Sequence, residues 1–70
     1  MYKEIKKMRA NLINARKEKG YTQQYVADYL GIGVNAYQKI EYGTRLGKIA
    51  TWDKLEDLFN IHQRVLRKLY

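Results

Sequence analysis

Residues 22–43 read TQQYVADYLGIGVNAYQKIEYG. Thr22 can cap a helix whose inward stripe is Val26, Ala27 and Leu30, and Gly31 can stop it. After a short turn, Val34 to Glu41 reads as a second helix of about two turns, with Tyr37 and Ile40 at the inward spacing. Ala27 carries no bulk, so a neighbouring helix can cross close to it. Gly31 supplies the positive φ that a sharp turn between two helices requires.

Working outward, Ile5, Met8, Leu12 and Ala15 recur at spacings of three and four and predict a first helix over about 2–19. It ends in Arg16, Lys17 and Lys19 followed by Gly20, a basic last turn and a residue suited to a left-handed exit. The two central helices fall at about 22–30 and 33–41. Tyr42 to Gly47 is a loop. Ile49, Trp52, Leu55, Leu58 and Phe59 mark a fourth helix over about 49–59, and after a break at Asn60, Ile61, Val65, Leu66 and Leu69 mark a fifth over about 62–69. No stretch alternates apolar and polar residues long enough for a strand. The expected fold is all-α, a single five-helix domain over 1–70.

Fourteen Lys and Arg against seven Asp and Glu give a net charge of +7, which favours a polyanionic partner. Nucleic acid comes first and an anionic membrane surface second. The apolar runs fall short of the ~20 residues of a spanning helix, and the start lacks the layout of a signal peptide. A cytoplasmic protein without membrane attachment, associated with the nucleoid when on DNA, is therefore expected. There is no cysteine, so neither a disulfide nor a thiolate metal site can staple the fold. A chain this short hides only roughly 60% of its unfolded surface, which makes a second copy a natural source of further burial. The lone His62 has no second His and no carboxylate pair at ligand spacing, and no glycine-rich phosphate loop follows a strand. No metal, cofactor or enzymatic activity is expected. Asp53, Glu56 and Asp57 read as a solvated acidic face.

Gln23 opens the first motif helix, Ala27 lies at the crossing, Gly31 in the turn and Ile40 in the core, and Glu41 and Gly43 close the motif. In these positions the chain resembles the helix-turn-helix family of phage Cro proteins and phage repressors, the XRE-like type, from about Leu12 to Leu66. The resemblance implies that the helix over 33–41 lies in the major groove with its N-terminal half against base edges. By motif position the base readers are then Val34, Asn35, Gln38 and Lys39. Asn35 can pair two-pronged with adenine, Lys39 can reach guanine O6 and N7, and Val34 can touch a thymine methyl. Gln38 is either a base reader or a phosphate contact. Gln23 matches a family glutamine that holds a phosphate at a helix N-terminus. Tyr42, Thr44, Arg45 and Lys48 follow where the family makes further phosphate contacts, Arg45 foremost. Arg16 and Glu41 match a family pair that forms a buried salt bridge.

Three features depart from the family pattern. Gly33 stands where Ser or Thr usually caps the reading helix, which leaves Asn35 as an alternative cap and would occupy it with backbone. Tyr37 takes a place usual for Val or Ile, and a core ring with a wet tip is expected. Of the seven tyrosines, Tyr2, Tyr21, Tyr25, Tyr29 and Tyr70 are not all needed for a core, so they are either partly exposed amphipathic residues or, some of them, contacts to phosphate or an interface. Lys3, Lys6, Lys7 and Arg9 are either solvated or laid along the DNA backbone.

The function expected from these residues is that of a sequence-specific double-stranded DNA-binding transcription regulator, a repressor. It would act as a homodimer on two half-sites ~34 Å apart, with dimer contacts from Phe59, Leu66, Leu69 and Tyr70. A phage or other mobile-element origin fits the resemblance and the size. The alternative is a protein-interaction module, an antitoxin or accessory regulator that binds a partner protein. A basic amphipathic protein for anionic membranes is a further alternative, opposed by the evenly placed core stripes.

Overall fold

The computed structural model describes residues 8–69, which form five helices and no strand. They are α1 (Ala10–Glu18), α2 (Gln23–Leu30), α3 (Val34–Glu41), α4 (Ile49–Phe59) and α5 (Gln63–Arg67). Helix α2 packs on α3 as the central pair, α1 lies against α3 and α5, and α4 lies against α5 and α2.

Of the expected first helix, over about 2–19, the described part is helical from Ala10 to Glu18. Residues 2–7, with Ile5, lie outside the described residues, while Met8 and Arg9 are described and not helical. The backbone N–H of Arg9, the residue capping α1, donates to Glu41 O at 2.9 Å and ties the start of α1 to the end of α3. At its other end α1 closes as anticipated, with Gly20 left-handed, Tyr21 N–H donating to Arg16 O and Gly20 N–H to Lys17 O. Thr22 Oγ1 accepts from the Tyr25 N–H at 3.0 Å and caps α2. Gly31 ends α2 at φ +75, and a Cβ built there would meet open space, so its backbone angle alone calls for glycine.

Helix α3 begins at Val34 with Gly33 in the cap position and no side-chain cap. Asn35 therefore sits inside the first turn and is not the cap. Helix α4 ends on a left-handed Asn60. Helix α5 is shorter than the expected 62–69: His62 Nδ1 accepts from the Arg64 N–H at 3.0 Å to start it, and the chain turns extended at Lys68.

The core comprises Leu12, Ala15, Val26, Ala27, Leu30, Tyr37, Ile40, Trp52, Leu55, Phe59 and Leu66. Each fully buried leucine contributes about 2 kcal/mol of transfer free energy. Phe59 and Leu66, expected to be left over for a dimer, are both in this core and offer nothing to a partner. Leu69 is exposed, and Tyr70 lies outside the described residues. Ile49 and Val65, counted in inward stripes, are exposed. The Tyr37 ring is buried to its tip, so the expected wet hydroxyl is absent.

Candidate nucleic-acid interface

One side of α3 is fixed by a buried polar cluster. Glu41 is 1% exposed, and its carboxylate accepts from Arg16 Nε at 2.6 Å, Arg16 Nη2 at 3.4 Å and Gln23 Nε2 at 2.9 Å. Arg16 Nη1 donates in turn to Tyr21 O at 3.0 Å, and Gln38 Nε2 donates to Gln23 Oε1 at 3.0 Å. The cluster joins α1, α2 and α3, so it sets the depth and angle at which α3 crosses α2. The hydrogen bond to Glu41 raises the Arg16 guanidinium above its usual range against the opposing effect of burial. The Tyr37 hydroxyl is buried beside this pair without a hydrogen-bond partner. Burial first, and then the Glu41 carboxylate, push the phenol far above its ordinary value.

The opposite side of α3 is free. Asn35, Lys39 and Tyr42, spaced four and three apart, form one exposed stripe. Among the described residues, Asn35 and Lys39 make no side-chain hydrogen bond within the chain. Val34 and Gln38 lie beside the stripe and are half-buried, Val34 against the core and Gln38 on Gln23. Gln38 keeps its carbonyl oxygen and one N–H, and Gln23 keeps one N–H, for a further partner.

Beyond α3, the loop carrying Thr44, Arg45 and Lys48 is held from several directions. Gly43 turns left-handed, and the N–H groups of Thr44 and Arg45 both donate to Lys39 O, at 3.0 and 3.2 Å. Thr44 Oγ1 donates to the same carbonyl at 3.3 Å. Arg9, anticipated as solvated or DNA-facing, instead lies buried against this loop at 4% exposure. Its Nη1 donates to Ile40 O at 2.7 Å and Arg45 O at 3.0 Å, and its Nε donates to Arg67 O at 3.0 Å. Its guanidinium also stacks 5.2 Å from the Trp52 ring centroid. Carbonyls at the ends of α3 and α5 have no intrahelical donor and carry negative partial charge, which accounts for a buried cation among them. Burial, and secondarily the Arg67 charge, lower the Arg9 guanidinium from its usual range.

Elsewhere, Gln63 Nε2 donates to Asp53 Oδ1 at 2.8 Å and Glu56 Oε1 at 3.0 Å. Those two carboxylates thus tie α5 to α4 and are not merely solvated. Among the described residues no group of three His, Cys, Asp or Glu side chains is placed to hold a metal, and no helix is long and apolar enough to cross a membrane.

A helix-turn-helix family model matches residues 12–66. No curated protein and no solved structure gives a significant match. The matched span runs from the buried Leu12 to the buried Leu66 and encloses the α2–α3 pair, its left-handed Gly31 and the Arg16–Glu41 bridge. By that match the chain belongs to the helix-turn-helix family of Cro and phage-repressor type, a family of DNA-binding regulators.

Proposed function

We propose that this chain is a sequence-specific regulator of transcription, a repressor, that lays α3 in the major groove of a duplex operator. The observation that carries the reading is the stripe of Asn35 and Lys39, exposed and without internal partners, on a helix whose other side is locked by a buried ion pair. Rigid backing with free amide and ammonium groups in front is what direct base readout needs. Asn35 and Lys39 are the principal readers. Gln38 reads with the groups left after its bond to Gln23, and Val34 contributes only apolar contact. Gln23, Tyr42, Thr44, Arg45 and Lys48 anchor the backbone phosphates, with Arg45 and Lys48 giving the salt dependence. Two copies bind a two-fold operator, on the nucleoid and so in the cytoplasm.

The test is selection of random duplex DNA by the purified chain, followed by affinity measurements on the enriched and a scrambled sequence across a salt series. Enrichment of a near-palindrome is expected, with Asn35→Ala or Lys39→Ala each losing about 1–3 kcal/mol on the enriched sequence and little on the scrambled one. Salt-sensitive binding with no enriched sequence defeats the proposal. A second reading, recognition of a partner protein, is favoured by Tyr25 and Tyr29, both exposed one helical turn apart on α2, with Tyr25 stacked 4.4 Å from Tyr21. Co-purification with one stoichiometric protein would support it.

A further inference from the structure

Helix α3 ends on carbonyls that the helix itself cannot satisfy, those of Gln38, Lys39, Ile40 and Glu41. The chain that follows reaches the first three. Tyr42 N–H donates to Gln38 O at 2.9 Å, the N–H groups of Thr44 and Arg45 to Lys39 O, and Gly43 N–H to Ile40 O at 3.2 Å. The remainder comes from one residue ahead of the motif. Arg9 donates its backbone N–H to Glu41 O at 2.9 Å and its Nη1 to Ile40 O at 2.7 Å. The same Nη1 reaches Arg45 O at 3.0 Å, and Nε reaches Arg67 O at 3.0 Å. Arg9 and Arg67 flank the span 12–66 that matches the family and lie outside it.

The Arg9 guanidinium stacks on Trp52, whose Nε1 donates to Leu46 O at 2.7 Å. The stacked pair thus grips two consecutive carbonyls, those of Arg45 and Leu46. Because a guanidinium is planar, its bond to Arg67 O at the end of α5 helps to aim Nη1 at the loop. Arg45 is therefore tied through both backbone polar groups, its N–H to Lys39 O and its carbonyl to Arg9. Its side chain, in contrast, is exposed and makes no hydrogen bond or ion pair among the described residues.

We infer that Arg9 is a positioning residue for DNA binding, fixing the backbone from which the Arg45 guanidinium reaches a phosphate; this rests on the phosphate role given to Arg45 above. A cation on a loose loop must order backbone and side chain together when it meets a phosphate, whereas one on clamped backbone orders its side chain alone. Arg9 is itself 4% exposed and acts through Arg45. A residue that merely stabilised the fold would lower the melting point and leave the binding of the folded chain as it was.

The experiment compares the full chain with Arg9→Met, Arg9→Lys and a core control equal in melting point to Arg9→Met, taken from Phe59→Leu, Phe59→Val and Phe59→Ala at the C-terminal end of α4. Each is digested briefly with trypsin without DNA, and the fragments are identified by mass. Each is also bound to the selected and a scrambled duplex across a salt series, at a temperature where all are folded. Arg9→Met should be cut between Arg45 and Leu46 at least about tenfold faster than the control, since the open loop becomes more populated. Its affinity should fall about threefold to tenfold on both duplexes alike, and its log-log salt slope should flatten by about 0.9, one phosphate contact. Arg9→Lys should fall between, with base preference unchanged throughout. Cleavage no faster than in the control overturns the clamp. Faster cleavage with the parent's affinity and slope, or an altered base preference, overturns the positioning role. Arg45→Ala with the parent's slope overturns the phosphate role on which the inference rests, while the digestion still judges the clamp.

Discussion

Replacing Glu41 with alanine is expected to damage this fold more than the substitution of any side chain on the exposed stripe. The carboxylate is 1% exposed and accepts from Arg16 and Gln23. Truncating it leaves the Arg16 guanidinium, in a side chain only 11% exposed, without its counter-charge. Removing one partner of a buried pair costs about 3–5 kcal/mol, because the remaining charge stays desolvated. A chain of this length has about 4–10 kcal/mol in all, and each kcal/mol moves the melting point of so small a domain by about 4–8 °C. A far-ultraviolet circular-dichroism melt of Glu41→Ala should therefore fall by at least about 12 °C. Replacing both partners, as Arg16→Met with Glu41→Leu, should recover most of that loss, since a well-packed apolar pair avoids the desolvation altogether. A single variant melting within about 3 °C of the parent, or a double variant no better than the single, would refute the reasoning.

Tyr37→Phe removes a buried hydroxyl that has no hydrogen-bond partner, so a thermal melt should show stability unchanged or raised by about 1 kcal/mol. Because the folded phenol titrates far above an unfolded tyrosine, its ionisation favours the unfolded chain, a penalty absent below pH ~10 that grows as pH rises beyond that. The parent should accordingly lose stability in alkali more steeply than Tyr37→Phe, as denaturant midpoints across that range will register. Arg9→Ala strips the donor from carbonyls of Ile40, Arg45 and Arg67 and should cost about 2–4 kcal/mol in urea unfolding. Arg9→Lys should restore less than half, since one ammonium cannot span the three. Gly31→Ala, in open space, should cost about 1 kcal/mol for its φ alone, and Gly47→Ala more, because its Cβ also presses on Ile40 and Trp52.

The central motif was legible because its constraints are local. Thr22 as cap, Ala27 at the crossing and Gly31 at the turn each answer to a backbone requirement within a few residues, and the structure has all three in those places. The 3.6-residue period likewise located each of the five helices among the described residues, though not every end. What it could not supply was the third dimension. Phe59 is buried with Tyr21 coming within 6.3 Å of its ring from the connection between α1 and α2, a partner 38 positions away in the chain. Arg9 reads as one more cation on a basic segment until helix ends distant in sequence bring their carbonyls to it. A general signal for it existed, since helix C-termini attract cations, but nothing in the pattern says which helix end lies near which arginine. Ile49 shows the converse: it falls in register with Trp52, yet among the described residues nothing covers its side chain, which is 78% exposed.

The candidate readers were legible by motif position, and the structure adds what position cannot. Gln38 is already hydrogen-bonded to Gln23, and Gln23 to Glu41, so a half-buried candidate reader is continuous with the buried bridge that fixes α3. Asn35 is released from capping by Gly33, which starts the helix without a side chain.

The most direct test of a major-groove reading is methylation interference on the selected duplex. Methyl groups at guanine N7 lie in the major groove and those at adenine N3 in the minor groove. The account predicts that N7 methylation within each half-site abolishes binding, and that Lys39→Ala loses the sensitivity at one guanine per half-site. Binding indifferent to N7 methylation and blocked only at N3 would contradict it.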